Sequence, residues 1–424
     1  MKYYFPFLAL LVLLISGCDQ PKSKAISNAP PPDSRTETEK LNEYLDGIFN
    51  AAVARNPEWE SRLGKREHYA QWTDLSDAHQ DDELQIRQAE VATMKKEYAF
   101  DKLDPQGQLS FRLFEDKVKW MEKSAKWRIY TYPVNQMHGV HSESASFLIN
   151  VHRINDVRDA YDYVERLYGL KDRMLQVQTK LTARKEAGII PPKFVFPYVL
   201  NDCRNLLKGQ PFDDSEELST LFKDYSGKIK ALKLSETEEK EMLFKGRAGL
   251  LEGMKPAYEG LITFLEELEK VADDEDGAWK FPKGDEFYEF ALQRTTTTAL
   301  TAEEIHLKGL AEVERIHNEM REIMKKVKYK GELNAFFDFM RSDKQFYFEN
   351  TDKGREQYLE EATAIIDTMR NWLPKIFNTL PKGKLVVKKV EPYREKSAGK
   401  AFYNKGAPDG SRPGTYYANL YNMA

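Results

Sequence analysis

The chain has 424 residues, of which 41% are hydrophobic, 31% are charged and 12% are aromatic, a composition that supports a large globular core. Its 64 basic and 68 acidic residues give a formal net charge of −4. Both signs are mixed along the chain, which argues against a nucleic-acid-binding protein, since such a protein carries a basic patch and an excess of basic residues.

The N-terminal residues have the pattern of a bacterial lipoprotein export signal. A lysine precedes an apolar run over residues 5–15, and Ser16 and Gly17 come directly before Cys18. Small residues suit a signal-peptidase site, and a cysteine at the new N-terminus can carry acyl chains. The run is too short to span a bilayer, which needs about 20 apolar residues. We therefore predict a signal peptide at residues 1–17, lipidation of Cys18 and a membrane anchor in the bacterial cell envelope, with an ordinary cleaved signal as the alternative.

Residues 18–35 are rich in proline and serine and nearly free of apolar side chains, which predicts an extended tether. Over about residues 36–380 the apolar residues follow the period of a helix, and residues 36–424 show neither a repeat nor a second change of composition. We therefore predict one large, mainly α domain over 36–424, with a small β-sheet near its C-terminal end.

Capping residues mark several helix starts. Asp104 precedes Pro105, which places an N-cap before a first-turn proline, and capping boxes are predicted at Ser235 and Thr301. The helix after Thr301 carries an apolar seam at steps of three and four residues. The seam consists of His306, Gly309, Val313, Ile316, Met320, Ile323 and Val327. We expect His306, within this seam, to be a hydrogen-bonded core residue.

A second apolar seam runs through residues 235–272, where Pro256 is expected to kink or split the helix. Strand signals appear only late in the chain. They are β-branched and aromatic clusters at residues 385–387, 401–403 and 415–420. The intervening loop 407–414 has proline and glycine at both ends, which predicts a fixed turn.

The sequence contains no complete catalytic motif. None of the seven histidines is followed by glutamate, so the His-Glu-x-x-His helix of zinc proteases is absent, as are phosphate-binding and serine-nucleophile motifs. His138, His141 and Glu143 could form a metal-binding group only if His152 folded back on them. We favour a hydrogen-bonded loop pair instead, because no further carboxylate or cysteine spacing supports a metal site.

Two other features invite chemical interpretations. Cys203 is interpreted as a small buried hydrophobic residue, with a nucleophilic thiol as the alternative. The acidic run 273–277 lacks the alternating ligands of a calcium loop and is interpreted as a solvated turn.

Six short motifs occur in a fixed order along the chain. They lie at residues 57–59 with 63–64, 132–137, 188–192, 295–297, 300–306 and 408–414. Together they resemble a bacterial family called domain of unknown function 885, from about residue 40 to the last residue. The resemblance implies an exported or lipid-anchored protein with a helical, gluzincin-metallopeptidase-like domain. In such a domain a zinc helix floors a groove and a short sheet edges it.

The zinc motif that the resemblance implies, His-Glu-Ala-x-Pro-Gly-His-His, follows the segment that matches Tyr416, Tyr417 and Asn419. No histidine follows His317 in this sequence, so no catalytic or metal-binding residue is assigned here. No cofactor is expected in this chain, whereas zinc is expected in the complete family. We expect a truncated family member in which segment 415–420 forms an uncovered edge strand. From the resemblance, Tyr416, Tyr417 and Asn419 are candidates for lining a substrate groove.

Two functions follow from these observations. The first is an envelope lipoprotein that resembles a zinc metallopeptidase but is inactive in this form, because the His-Glu motif is absent. The second is a noncatalytic envelope lipoprotein that binds peptides or a partner protein through its groove. In both, the membrane is contacted through the N-terminal lipid anchor.

Overall fold

The computed structural model of the protein describes residues 34–423. Cys18, the predicted signal peptide and nearly all of the predicted tether lie outside these residues, so they remain predictions. Within residues 34–423, none of the helices combines the length and the apolar composition that crossing a bilayer requires.

Most of the described residues are helical, as predicted. The α-helices in this range are α1 Glu37–Ala54, α2 Pro57–Arg62, α3 Asp77–Glu97, α4 Pro105–Ala125, α5 Val140–Asn150, α6 Val157–Glu186, α7 Val195–Leu206, α8 Thr220–Ala231, α9 Glu236–Ala248, α10 Lys255–Glu269, α11 Gly284–Thr296, α12 Ala302–Lys326, α13 Leu333–Ser342 and α14 Asp352–Ile376. Short 3-10 turns occur at Phe100–Lys102, Arg128–Tyr130, Ala278–Lys280 and Lys344–Phe346.

The predicted helix starts are confirmed. The Asp104 carboxylate accepts a hydrogen bond from the Gly107 amide at 2.8 Å, and Pro105 occupies the first turn of α4. Both capping boxes, at Ser235 and Thr301, form with reciprocal hydrogen bonds. These caps satisfy amide groups that have no partner within their own helix.

Pro256 divides the predicted long helix as expected. Helix α9 leads into a π-helical segment, Gly249–Met254, and α10 starts at Lys255. Since proline lacks an amide hydrogen and clashes with the preceding turn, a widened turn relieves the conflict. Gly253 lies in this segment against α6, where a Cβ atom would be 2.4 Å from the Leu167 carbonyl oxygen. Only glycine allows this close approach.

Helix α6 is the centre of the hydrophobic core. It packs against α10 and the π-helical segment, and buried residues of α7 belong to the same apolar cluster. Its fully buried residues include Tyr163, Leu167, Leu170, Met174 and Val177. Cys203 on α7 belongs to the same core, and burial raises the pKa of its thiol. The interpretation of Cys203 as a buried hydrophobic residue is therefore confirmed.

The expectation for His306 is wrong. Helix α12 has the predicted seam, but it packs mainly against α13, and within the described residues most of the seam is exposed. His306 is exposed, as are Val313 at 49% and Val327 at 60%. Helix α14 likewise exposes apolar side chains, with Ile365 at 62% and Trp372 at 53%. The apolar periodicity of the sequence identified α12 as an amphipathic helix, but it could not show whether another element packs on the apolar face.

Three strands form the small sheet predicted near the C-terminal end. They are β1 Leu385–Lys389, β2 Ala401–Asn404 and β3 Gly414–Ala418, in the order β1-β3-β2. Strand β3 is parallel to β1 and antiparallel to β2. The expectation of an uncovered edge strand at 415–420 is therefore wrong, because β3 is the central strand and uses backbone groups on both sides.

The sheet lies between α5 and α14. On one face, Phe402 and Tyr417 stack at 5.0 Å, and the Tyr417 hydroxyl donates to Asn150 Oδ1 of α5 at 2.6 Å. On the other face, Tyr416 packs with Tyr358 of α14 in a small apolar cluster. The predicted fixed turn 407–414 forms between β2 and β3.

Candidate functional site

A cleft of 520 Å³ separates α5 from strand β2 and the segment before it. Helix α5 contributes Glu143, Ser146 and Asn150, and the sheet side contributes Arg394 and all four residues of β2. Strand β2 is an edge strand, so one side of its backbone has no partner strand. An edge strand beside a groove with polar side chains provides a site for an extended chain.

A tight loop closes one end of the cleft. The Asn135 carboxamide oxygen accepts hydrogen bonds from the amides of Met137 at 2.9 Å and His138 at 2.8 Å. Gly139 follows with a φ of +140°, and a Cβ atom there would lie 2.7 Å from the Val134 Cα. This glycine lets the loop turn sharply into α5. As a result, Met137 and His138 are exposed and line the cleft.

A polar network connects α5 to the sheet side of the cleft. Asn150 Nδ2 donates to Glu391 Oε1 at 2.6 Å, while Asn150 Oδ1 accepts from the Tyr417 hydroxyl. Arg394 Nε donates to Glu391 Oε2 at 2.8 Å, and its guanidinium lies 5.1 Å from the centre of the Phe402 ring. Charge-assisted hydrogen bonds and ring stacking hold these side chains in one arrangement.

The structure separates the histidines considered for metal binding. His138 is exposed in the cleft, whereas His141 and His152 are buried below it. His141 Nε2 lies 3.9 Å from Asp202 Oδ2, and His141 Nδ1 has no hydrogen-bond partner, so this histidine is not the satisfied loop residue expected. Burial lowers the pKa of His141 to about 3. His152 bonds elsewhere, to Asp159 and Arg166.

The residues present do not fit a zinc ion. Within residues 34–423, no group of three or more histidine, cysteine, aspartate or glutamate side chains is close enough to share a metal. Structural and catalytic zinc sites need at least three such ligands. The acidic run 273–277 is a mostly exposed loop in which the Asp273 carboxylate pairs with Lys280 at 2.5 Å.

The three groove residues proposed from the sequence lie around β3. Tyr417 is buried under Phe402, and Tyr416 faces α14. The Asn419 carboxamide donates to the carbonyl oxygens of Glu395 and Ala398 at 2.6 and 3.0 Å, and thereby holds the segment before β2. The structure places all three behind or beside the cleft wall, and their role in substrate binding stays a prediction.

Sequence reasoning missed the residues that line the cleft most directly, namely Arg62, Ser146, Asn150, Arg394, Phe402 and Asn404. They come from four separate segments, and none belongs to a motif with recognisable chemistry. Strand β2 was predicted from its aromatic residues, but nothing in its sequence showed that it would be an edge.

A second cavity, of 600 Å³, lies on the opposite face of the sheet, between α14 and the loop after β2. Its walls are mainly apolar, and its charges are basic side chains such as Arg370 and Lys405. No carboxylate or histidine lines this cavity. The α5–β2 cleft, which combines acidic, basic and hydrogen-bonding side chains with a free strand edge, is the better candidate.

Residues 57–424 match a family described as bacterial protein of unknown function (DUF885). The chain belongs to this family. No curated protein matches the sequence. A crystal structure of the "putative lipoprotein" from Colwellia psychrerythraea is similar over 92% of this chain and 68% of its own, with 20% identity and a TM-score of 0.79.

The structure of a "putative lipoprotein of unknown function" from Shewanella oneidensis is similar over 92% of this chain and 66% of its own, with 15% identity and a TM-score of 0.52. Because the sequence identities are only 20% and 15%, the two similarities show the fold of this DUF885 protein and nothing further. The chain spans about two thirds of the length of both solved proteins.

Proposed function

We propose that this DUF885 protein is an envelope lipoprotein that binds extended peptides in the α5–β2 cleft. The observation that carries the proposal is the position of β2, an edge strand whose four residues all line a cleft with polar and charged side chains. Strand addition uses main-chain hydrogen bonds for affinity, and alternate side chains enter the neighbouring groove. The similarity to lipoproteins and the predicted Cys18 anchor support an envelope location.

The cleft provides contacts for both parts of an extended peptide. Unpaired backbone groups of β2 suit its main chain, and the aromatic rings of Phe402 and Tyr403 can pack against its side chains. Asn150 and Arg394 are already held by Glu391, so they are ordered before a ligand arrives. Ordered side chains lose little entropy on binding, which favours affinity.

Peptide hydrolysis is the function that the family resemblance suggested, and we propose that this chain does not catalyse it. The described residues offer no group that fits zinc, and the sequence has no His-Glu pair. Family members that carry the full motif would add hydrolysis to the same binding cleft. In this proposal the present chain provides the groove, and Tyr416, Tyr417 and Asn419 support its wall.

Binding can be tested by fluorescence anisotropy with a labelled panel of eight-residue peptides that alternate valine with varied residues. The Ser146→Trp variant would fill the cleft from α5, and Ser342→Trp adds the same bulk at an exposed position on α13. We expect Ser146→Trp to abolish binding and Ser342→Trp to retain it, with both variants unchanged in circular dichroism. Equal binding by both variants would place the peptide elsewhere and refute the proposal.

Catalysis can be tested on the same purified chain by measuring its metal content and by mass spectrometry of peptides incubated with added zinc. We expect no stoichiometric zinc and no cleavage. Bound zinc at one equivalent, together with hydrolysis that stops on addition of a chelator, would show that the protein is an active peptidase.

A further inference from the structure

Arg62 lines the cleft, and two arginines from other segments, Arg153 and Arg412, lie close to it. Arg62 ends α2 and lies over the Phe147 ring of α5, with 5.3 Å between the guanidinium carbon and the ring centre. Arg153 follows the C-terminal end of α5, where its backbone is held by the Tyr69 hydroxyl. Arg412 lies in the turn before β3, and its Nη2 donates to the Arg62 carbonyl oxygen at 3.0 Å.

Positive charge exceeds negative charge around this arginine cluster, Arg62, Arg153 and Arg412. Within residues 34–423, none of the three forms a salt bridge with a carboxylate. Asp409 lies in the same turn as Arg412, and its Oδ1 accepts from the Ser411 amide at 2.9 Å. Hydrogen bonds from Ser411, and then the charge of Arg153, lower the pKa of the Asp409 carboxyl group, so one carboxylate offsets part of the three positive charges. Burial and repulsion from Arg62 and Arg153 lower the pKa of the Arg412 guanidinium. Concentrated positive charge of this kind favours an anionic ligand.

Part of the cluster is preorganised by the fold. Arg412 Nη1 donates to the Lys405 carbonyl oxygen at 2.6 Å, so this guanidinium joins the segment after β2 to the end of α2. Its Nε atom is buried and has no hydrogen-bond partner in the described structure. Arg62 and Arg153 have exposed or half-exposed side chains that can move toward a ligand. A rigid arginine flanked by two adjustable ones suits bidentate recognition of a carboxylate.

We propose that the arginine cluster binds a peptide carboxylate and so sets the direction of the peptide in the cleft. This inference rests on the proposed peptide-binding function. It adds that the carboxyl end of the peptide is the end that the protein recognises. Glu143, which lies nearer the other end of α5, disfavours a second carboxylate there and favours a cationic group. The carboxyl end therefore lies at the arginines, and the chain runs along β2 toward Glu143.

The length of α5 limits the peptide that fits. Val151, the residue after α5, follows Glu143 by eight positions, which is a distance of about 12 Å at the helical rise of ~1.5 Å per residue. An extended chain covers that distance with about four residues at ~3.3 Å each. The cleft is thus expected to read a short C-terminal segment.

A peptide offers a carboxylate at its C-terminus or on an acidic side chain, and three forms of one labelled octapeptide distinguish these sources. The first has a free C-terminal acid, the second is amidated, and the third is amidated with glutamate as the last residue. We expect the amide to bind about tenfold more weakly than the free acid, since one charge-assisted contact is lost. Recovery of affinity with the glutamate form would support the carboxylate site and assign it to side chains.

The variants Arg62→Gln and Arg153→Gln should remove most of the preference for the acid, whereas Arg321→Gln, at a solvent-facing position on α12, should not. Equal affinity for acid and amide would overturn the inference while leaving peptide binding intact. If none of the three forms binds, the proposed function itself fails. Unchanged acid preference in both cleft variants would also overturn the arginine assignment.

Discussion

His152 Nδ1 accepts a hydrogen bond from Arg166 Nη1 at 2.9 Å in the centre of the helical body. Because arginine can only donate, this contact requires an unprotonated Nδ1, and the proton on Nε2 is donated to the Asp159 carbonyl oxygen at 3.0 Å. Arg166 also donates to the Gln71 carbonyl oxygen and to the Ser61 hydroxyl. A fully buried cation is thus held by neutral acceptors.

Aromatic rings complete the surroundings of Arg166. Its guanidinium carbon lies 4.7 Å from the ring centre of Phe147 and 5.1 Å from that of Tyr69. Removing one partner of a buried charge leaves a costly unpaired donor. We expect His152→Leu to lower the free energy of unfolding by about 3 kcal/mol, and His152→Gln, which keeps an acceptor, by about 1 kcal/mol. Urea denaturation measures both, and equal losses would contradict this account.

Acid should weaken the same contact. Burial, followed by repulsion from Arg166, keeps the pKa of His152 well below its usual value. The unfolded chain therefore takes up a proton below pH ~6.5 while the folded chain does not, and stability falls as the pH drops. Between pH 6.5 and 5, we expect the free energy of unfolding to fall less steeply in His152→Gln than in the wild type, with a difference in slope of about 1 kcal/mol per pH unit. Urea denaturation at several pH values measures both slopes, and equal slopes would refute this prediction.

Asp202 should have the opposite pH dependence. Its Oδ1 has no hydrogen-bond partner, its Oδ2 accepts from the Ser397 hydroxyl at 2.6 Å, and burial raises its pKa to about 6. A raised carboxyl pKa favours the folded state at low pH, and this contribution is lost as the pH rises through about 6. We expect Asp202→Asn to stabilise the protein by about 2 kcal/mol at pH 7.5 and to have little effect at pH 4.

Thermal and urea unfolding at the two pH values measure this difference. The exposed Asp214 provides a matched control, since Asp214→Asn should leave the unfolding free energy unchanged at both. A loss of stability in Asp202→Asn at pH 7.5 would show that the ionised carboxylate is favourable in the fold.

The link between the sheet and α5 should affect both stability and binding. Tyr417→Phe removes the hydroxyl that donates to Asn150, which we expect to cost about 1 kcal/mol. Peptide affinity should fall as well, because Asn150 borders the cleft and also holds Glu391. The control Tyr421→Phe alters a tyrosine that is 46% exposed and should change neither quantity. Urea denaturation and anisotropy would detect the difference.

The exposed apolar faces of α12 and α14 should promote association of the isolated chain. Contiguous apolar surface of this extent commonly covers itself by binding. We expect Ile365→Lys and Trp372→Glu to reduce self-association while changing the unfolding free energy by no more than about 0.5 kcal/mol. Sedimentation equilibrium measures the association. Leu170→Lys, in the core, should instead unfold the protein, and a monomeric wild-type chain at high concentration would contradict the expectation.

The sequence by itself determined the local features of this protein. Caps at Asp104, Ser235 and Thr301, the interruption at Pro256 and the late strands are encoded within a few residues, because hydrogen bonding and side-chain periodicity act over that range. Apolar periodicity also predicted the helical class, and motif order predicted the family.

Only the tertiary structure decided which faces are covered and which residues meet. The pattern of α12 was correct, yet His306 and most of that seam are exposed in the described part of the chain. Strand β3 became central rather than an edge because its pairing depends on β1 and β2, which are distant in sequence. Arg62, Arg153 and Arg412 likewise converge through long-range packing, which no local pattern encodes.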